Sequence, residues 1–117
     1  MEQAVESTPG IPWTVLVLRE AIDDLKWFET AMRKVVLNLA IEQLKVDPKL
    51  ESRNLKTLRP NPAAQREIRL LGRYRVLFDV DDVLQTVTIK VVGEKRGNAL
   101  FVRGQEYKAH HETDLLE

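Results

Sequence analysis

The stretch from Arg73 to Gly97 constrains the fold most, because apolar and polar residues alternate through much of it. Its first part runs to Asp81, a short acidic turn follows, and Thr86 begins the return. Alternation with period two, together with dense β-branched and aromatic residues, predicts two antiparallel strands joined by that turn. The hairpin carries several cations on its strands or at its end: Arg73, Arg75, Lys90, Lys95 and Arg96. A sheet that displays such groups is suited to bind a phosphate backbone or an acidic protein segment.

Periodicity places the elements that precede the hairpin. The run from Trp13 to Leu18 is rich in β-formers and has little polarity, which predicts a strand covered on both faces. Two helices are predicted next, over Arg19–Phe28 and Thr30–Val46, because apolar residues recur there at helical spacing. Pro48 closes the second helix. Two consecutive helices with apolar stripes predict a helical hairpin that lies on one face of the sheet.

The rest of the chain predicts further strands around a proline-rich loop. Residues 47–64 hold three of the five prolines and have no clean period, so they are predicted to be an ordered loop. Strands are predicted over Gln65–Leu71 and Leu100–Val102. The whole order predicts an α+β fold, an antiparallel sheet of four to five strands with a two-helix hairpin packed on one face. The N-terminal strand is expected to pair inside this sheet, beside one of the later strands.

Length and composition bound the class of protein. A chain of 117 residues with 44% hydrophobic residues fits one modest core. We expect a single domain over residues 13–107, between a flexible lead-in over 1–12 and a polar tail over 108–117. The chain has no cysteine, so disulfides and thiolate metal ligation are excluded, and neither a metal nor a cofactor is expected. No apolar run approaches the roughly 20 residues of a membrane helix, so we expect a cytoplasmic protein without a membrane partner.

Charge is distributed unevenly, although the formal net charge is zero. Residues 45–103 contain thirteen Lys and Arg against seven Asp and Glu. The surplus of acid lies on the predicted helices and in both tails. The region that contains the hairpin is therefore basic, as a surface that binds nucleic acid or an acidic protein should be.

Three strings, in this order, resemble a known family: Leu58–Pro62, Gly72–Asp81 and Val92–Phe101. With the order of elements, they resemble the RelE/ParE superfamily of toxins from toxin–antitoxin modules, over Trp13 to Tyr107. The resemblance implies a small α+β protein that binds a cognate antitoxin. Members of the family are either ribosome-dependent messenger-RNA endonucleases or gyrase inhibitors without nuclease activity.

The resemblance to the nuclease branch names candidate site residues. Cleavage of RNA through its own 2′-hydroxyl needs a proton acceptor, a proton donor and positive charge around the phosphorane-like transition state. Arg75 matches the arginine of the family's Gly-Tyr-Arg-like strand, and Lys95 or Arg96 matches the basic residue after the Val-Gly turn. The candidate catalytic residues are therefore Arg75, Lys95 and Arg96. The candidate RNA-binding residues are Arg66, Arg69 and Arg73.

The sequence offers fewer candidates for the proton donor and the proton acceptor than for the positive charges. Arginine stays protonated at any working pH and is a poor proton acceptor. Phe101 stands where the nuclease branch often has a tyrosine, and Tyr107 could replace that tyrosine only if the tail folds back.

Two functions therefore stay open. One is a toxin that inhibits translation by ribosome-dependent messenger-RNA cleavage, with the ribosome and the message as partners. The other is a ParE-like toxin that acts on DNA gyrase, or a catalytically degenerate member that only binds its antitoxin. An antitoxin partner is expected in either case.

Overall fold

The computed structural model describes residues 11–107. The expectations for the tail over 108–117, and for the lead-in apart from Ile11 and Pro12, lie outside the described residues. Within them the elements are β1 (Thr14–Val17), α1 (Arg19–Leu25), α2 (Thr30–Val46), β2 (Leu55–Thr57), β3 (Arg66–Leu70), β4 (Tyr74–Asp81), β5 (Thr86–Arg96), β6 (Ala99–Val102) and β7 (Gln105–Glu106). The predicted α+β class and the pair of helices are confirmed.

One sheet contains all the strands described. Six of them follow the order β2-β3-β4-β5-β6-β7, and every neighbouring pair on this path is antiparallel. The predicted hairpin is β4–β5, whose pairing runs from Asp81 opposite Thr86 to Tyr74 opposite Glu94. β1 lies off this path and pairs in parallel with the first part of β5. The chain therefore reaches the sheet first at β1 and returns to it for the meander after both helices.

The sheet has seven strands, and the expectation of four to five is corrected. β2 lies inside the segment predicted as a loop, and β7 has only two residues, so neither shows a readable alternation. The turn before β7 has positive φ at both central residues, Arg103 at 52° and Gly104 at 76°. That geometry suits a two-residue hairpin loop. The chain after β6 thus folds back, and the Tyr107 amide donates to the Leu100 carbonyl oxygen at 2.8 Å.

The prediction that the first strand is covered on both faces is wrong. β1 pairs with β5 alone among the described residues, so it lies at a border of the sheet. Val15 and Val17 pack against the core, whereas Leu16, between them, is 49% exposed. The helices cover only one face of β1. Successive side chains of this apolar strand therefore alternate between partly buried and exposed positions.

The two faces of the sheet have different cover. On the helix face, apolar side chains of the strands pack against both helices. The largest fully buried side chains there include Phe78 and Ile89 of the strands and Leu44 of α2. On the open face, a smaller cluster joins the loop over 58–64 to the strands and consists of Ala63, Ala64, Leu77, Val91, Leu100 and Val102. Burying one large aliphatic or aromatic side chain contributes about 1.5–3 kcal/mol, so the helix face supplies most of the stability. The open face is left with room for polar side chains.

α1 ends at Leu25, three residues before the predicted end at Phe28. The amides of Lys26 and Phe28 each bond to a carbonyl three residues earlier, which tightens and ends the helix. Arg33 of α2 donates to the Phe28 and Lys26 carbonyl oxygens at 3.1 and 2.8 Å, so a cation satisfies the end of α1. No helix among residues 11–107 is long and apolar enough to cross a membrane.

Asp24 joins α1 to the sheet and provides a test of the packing. Its side chain is 2% exposed, and Oδ2 accepts a hydrogen bond from the Val92 amide at 3.0 Å. Oδ1 lies 3.1 Å from Nε of Arg103. Burial raises the pKa of this carboxyl above its usual range, while the Val92 hydrogen bond and Arg103 oppose that rise. We expect Asp24→Ala to lower the free energy of unfolding by about 2 kcal/mol in urea denaturation, because a buried amide loses its acceptor.

The matched control is Asp23→Ala on the same helix. Asp23 is 45% exposed and pairs with the exposed Lys26 at 3.2 Å. Exposed pairs of this kind contribute at most about 1 kcal/mol, so this substitution should change stability little. Equal losses from the two variants would contradict the role given to Asp24.

Candidate functional site

The open face carries a polar cleft of about 480 Å³. It is lined by Lys56, Thr57, Leu58, Arg59, Glu67, Arg69, Arg75, Lys95, Asn98 and Leu100. Five of these residues are cations and one is a carboxylate, so the formal charge of the lining is four positive. A concave surface with one sign of charge concentrates oppositely charged ligands.

Strand register explains why these side chains meet. Lys56 of β2 lies opposite Glu67 of β3, and Arg69 of β3 lies opposite Arg75 of β4. Directly opposed residues place their side chains on the same face of a sheet. Three neighbouring strands therefore bring charged side chains to one patch of the open face.

Lys95 joins this patch because of a β-bulge. Between Leu77 and Phe78 of β4, strand β5 carries one extra residue, Lys90. An extra residue reverses which face the following side chains take. Strict alternation from Ile89, which is buried on the helix face, would place Lys95 on the helix face as well. With the bulge, Lys95 lines the cleft.

The floor of the cleft is a carboxylate between two guanidinium groups. Glu67 is 6% exposed, and its Oε2 accepts a hydrogen bond from Nε of Arg69 at 3.0 Å. The same oxygen lies 4.0 Å from Nε of Arg75. Each arginine thus turns its Nε toward Glu67. Both guanidiniums also line the cleft.

Arg75 is held in place by backbone carbonyls. Its side chain is 9% exposed, and Nη1 donates to the carbonyl oxygens of Gly72 and Tyr74 at 3.2 and 3.1 Å. Burial lowers the pKa of Arg75 below its ordinary value, Glu67 opposes this effect, and Arg69 adds to it. A guanidinium nevertheless remains charged at any working pH. Arg75 is therefore a permanent, oriented positive charge.

One wall of the cleft is a loop shaped by Asn61. Its Oδ1 accepts hydrogen bonds from the amides of Ala63 and Ala64 at 2.8 and 3.0 Å, and Nδ2 donates to the Arg59 carbonyl oxygen at 2.6 Å. Side-chain bonds of this kind replace the backbone ladder in an irregular segment. The loop that carries Arg59 is thus held over the open-face cluster. A second pocket of about 330 Å³ lies beneath it and shares Thr57, Leu58 and Arg59 with the cleft.

Three of the six site residues predicted from the sequence meet in the cleft: Arg69, Arg75 and Lys95. Arg66 does not join them. Its side chain is 7% exposed and donates to the carbonyl oxygens of Pro48 and Leu50 and to the Glu51 carboxylate. Its donors therefore hold the segment after α2 against β3.

Arg73 and Arg96 lie on the helix face, around Glu94. Arg73 pairs with one Glu94 oxygen, and Nη2 of Arg96 lies 3.6 Å from the other. The Arg73 guanidinium stacks over the Tyr74 ring at 5.3 Å, and that of Arg96 stacks over Phe101 at 5.0 Å. Such cation–π contacts orient both groups along the sheet. Arg73 and Arg96 are thus separated from the cleft by the sheet itself.

Neither aromatic residue considered for proton transfer lines the cleft. Phe101 lies opposite Glu94 and shares its face, away from the cleft. Tyr107 packs against the open-face cluster, because the tail folds back at β7. Burial raises the pKa of the Tyr107 phenol, and the negative charge of Asp24 adds to that rise. This phenol therefore stays protonated at neutral pH and cannot serve there as a base.

Sequence reasoning missed five polar residues of the cleft: Lys56, Thr57, Arg59, Glu67 and Asn98. A signal existed for Glu67, because it stands two residues before Arg69 on a strand and must share its face. Lys56 and Arg59 lie in the segment without a period, and Asn98 lies in a turn, so alternation could not place them.

Comparison with known proteins identifies the family. No family model matches this sequence, and no curated protein matches it. The structure does match a chain in the crystal structure of the toxin–antitoxin complex RelBE2 from Mycobacterium tuberculosis. The TM-score is 0.63 and the identity 30%, over 74% of this chain and 94% of that chain. This chain therefore belongs to the RelE/ParE superfamily of toxins from toxin–antitoxin modules, and its fold is RelE-like.

Proposed function

We propose that this protein is a RelE-like toxin of the cytoplasm that inhibits translation by cutting messenger RNA on the ribosome, without a metal ion. One observation carries the proposal. The cleft on the open face brings Arg69, Arg75 and Lys95 together beside a carboxylate. This set of groups can bind a phosphodiester and stabilise additional negative charge on it.

Each group has a stated task in this reaction. The 2′-oxygen of one nucleotide attacks the adjacent phosphorus, and negative charge builds on the phosphoryl oxygens. Arg75 and Lys95 stabilise that charge. Arg69, Lys56 and Arg59 hold the neighbouring phosphates, where positive charge gives affinity without sequence preference. Arg66, Arg73 and Arg96 have no RNA contact in this proposal, because their donors serve other carboxylates and carbonyls.

A cognate antitoxin is the second proposed partner. A solved structure that this chain resembles is a toxin–antitoxin complex. The lining of the cleft carries a net positive charge, which suits a flexible acidic segment that orders on binding. Such a segment would cover Arg69 and Lys95 and keep RNA out.

The direct test uses purified protein, translating ribosomes and a synthetic message, with primer extension to locate cuts. The proposal predicts cuts inside codons of the translated region, and only when ribosomes translate the message. Messages that stay intact in the presence of active ribosomes would contradict it.

A second candidate function is inhibition of DNA gyrase, as in the ParE branch. The observation that favours it is that the cleft residues described include neither tyrosine nor histidine, the side chains best suited to exchange a proton. Gyrase supercoiling of relaxed plasmid would then stop when the protein is added. Full supercoiling activity would exclude this candidate.

RNA binding gives a further prediction, because two arginines that reach solvent, Arg69 and Arg73, lie on opposite faces of the sheet. We expect Arg69→Gln to weaken binding of a short single-stranded RNA about tenfold, since it removes a charge-assisted contact. The slope of log affinity against log salt should also decrease by about 0.7, the value for one lost phosphate contact. Filter binding with an RNA that carries 2′-deoxyribose measures affinity without cleavage.

Arg73→Gln is the matched control, because Arg73 lies on the helix face beside Glu94. Its affinity should stay within about twofold of the wild type, as a distant surface charge is screened at physiological salt. Equal losses from Arg69→Gln and Arg73→Gln would mean that the RNA does not use the cleft.

A further inference from the structure

Glu67 is the one carboxylate among the described residues that line the cleft, and cations approach it from several strands. Lys56 of β2 lies directly opposite it, and Arg69 follows it on β3. Arg75 approaches from β4, and Lys95 of β5 lines the same cleft. Burying a carboxylate is unfavourable unless charged partners compensate, and here they do.

The position of Glu67 also places it beside the site proposed for the phosphate. Arg69 and Arg75 both line the cleft and face Glu67 through Nε. Nη1 of Arg75 is bound to backbone carbonyls, so its Nη2 and the terminal nitrogens of Arg69 are the donors left for a ligand. A guanidinium bound to a carboxylate on one edge can bind a phosphate oxygen on another. A phosphodiester held by Arg69 and Arg75 would therefore lie within a few ångströms of the Glu67 carboxylate.

The proposed reaction lacks a proton acceptor among the cations of the cleft. A guanidinium and a lysine ammonium both carry hydrogen-bond donors and no acceptor, and neither aromatic residue lines the cleft. A carboxylate is ionised at neutral pH and can act as a general base when it is within reach of the reacting hydroxyl.

We infer that Glu67 is the general base of the reaction, an inference that rests on the proposed function. The Glu67 carboxylate takes the proton of the RNA 2′-hydroxyl as the 2′-oxygen forms its bond to phosphorus. The bond from phosphorus to the 5′-oxygen breaks, and the Lys95 ammonium gives a proton to that oxygen. The products are a 2′,3′-cyclic phosphate and a 5′-hydroxyl. Transfer of one proton from Glu67 to Lys95 through water restores both groups.

The test measures single-turnover cleavage of a ribosome-bound message between pH 5 and pH 9. Glu67→Gln keeps the shape of the side chain but cannot accept a proton. We expect its rate at neutral pH to fall by about 100- to 10,000-fold, the usual contribution of general base catalysis. The wild-type rate should decline on the acid side as Glu67 protonates, and the variant should lose that decline. Binding of the 2′-deoxy RNA should stay within about threefold of the wild type.

Glu94→Gln is the matched control, since Glu94 is also a partly buried glutamate bound to two arginines, but on the helix face. It should keep the wild-type rate and the wild-type pH profile. Glu67→Asp retains a carboxylate on a shorter arm and should recover part of the lost rate. If Glu67→Gln fails to fold, the wild-type profile decides, because a rate with no decline on the acid side contradicts a carboxylate base.

The outcomes separate this inference from the function beneath it. The inference alone is overturned if the wild-type protein cuts messages and Glu67→Gln cuts them equally fast, with the same decline in rate at acid pH. A different result would be that Glu67→Gln binds RNA more weakly and keeps the decline in cleavage rate at acid pH. Glu67 would then be a positioning residue for Arg69 and Arg75, and this result also overturns the inference. A wild-type protein that cuts no message in the presence of translating ribosomes overturns the proposed function itself.

Discussion

Replacing Arg75 with alanine is expected to lower the rate of message cleavage by about 100- to 1,000-fold, the loss typical of removing one preorganised donor to a transition state. The reason is the rigidity of the group. Arg75 is held by two backbone carbonyls and lies near Glu67, so its charge needs no reorganisation when the transition state forms. Primer extension after single turnover on translating ribosomes measures the loss.

Arg75→Lys should give an intermediate rate, because it keeps the charge but lacks the planar fork that binds two oxygens. Thermal unfolding of both variants separates loss of chemistry from loss of fold, since Arg75 is largely buried. A folded Arg75→Ala protein that cuts messages at the wild-type rate would remove Arg75 from the site.

The second large effect is expected at Lys95. Lys95→Ala removes a positive charge from the cleft together with the proposed proton donor, so cleavage should slow by about 100-fold or more. The same ribosome assay measures this rate.

The neighbouring residue provides the control. Arg96 follows Lys95 directly but lies on the helix face, over the Phe101 ring. Arg96→Ala should change the cleavage rate less than about threefold, because Arg96 lies across the sheet from the cleft. Its exposed contacts with Phe101 and Glu94 also contribute little to stability. If Arg96→Ala lost as much cleavage rate as Lys95→Ala, the cleft on the open face would not be the site of cleavage.

The contrast between Lys95 and Arg96 shows where prediction from sequence reached its limit. Alternation correctly predicted the β4–β5 hairpin, and the resemblance correctly named the family. Which of two adjacent cations faces the cleft depends on the bulge at Lys90, and one extra residue reverses the face of every side chain beyond it. A bulge of this kind has no signal in the alternation itself, so the sequence left both residues as candidates.

The short elements and Arg66 have a related explanation. β2 and β7 exist because longer neighbours offer them open backbone groups, and not because their own residues prefer strands. Arg66 has the residue type of an RNA-binding group, but its partners are carbonyls of a segment about 16 residues earlier in the chain. Contacts so distant in sequence are set by tertiary structure, and no local pattern predicts them.

The most direct test of the account maps the 5′ ends of messages in cells after induced expression of the wild-type protein, with Arg75→Ala and Arg96→Ala expressed in parallel. New ends should lie inside translated codons for the wild type and for Arg96→Ala, and there should be very few for Arg75→Ala. Growth arrest by the wild-type protein with messages left intact would contradict it.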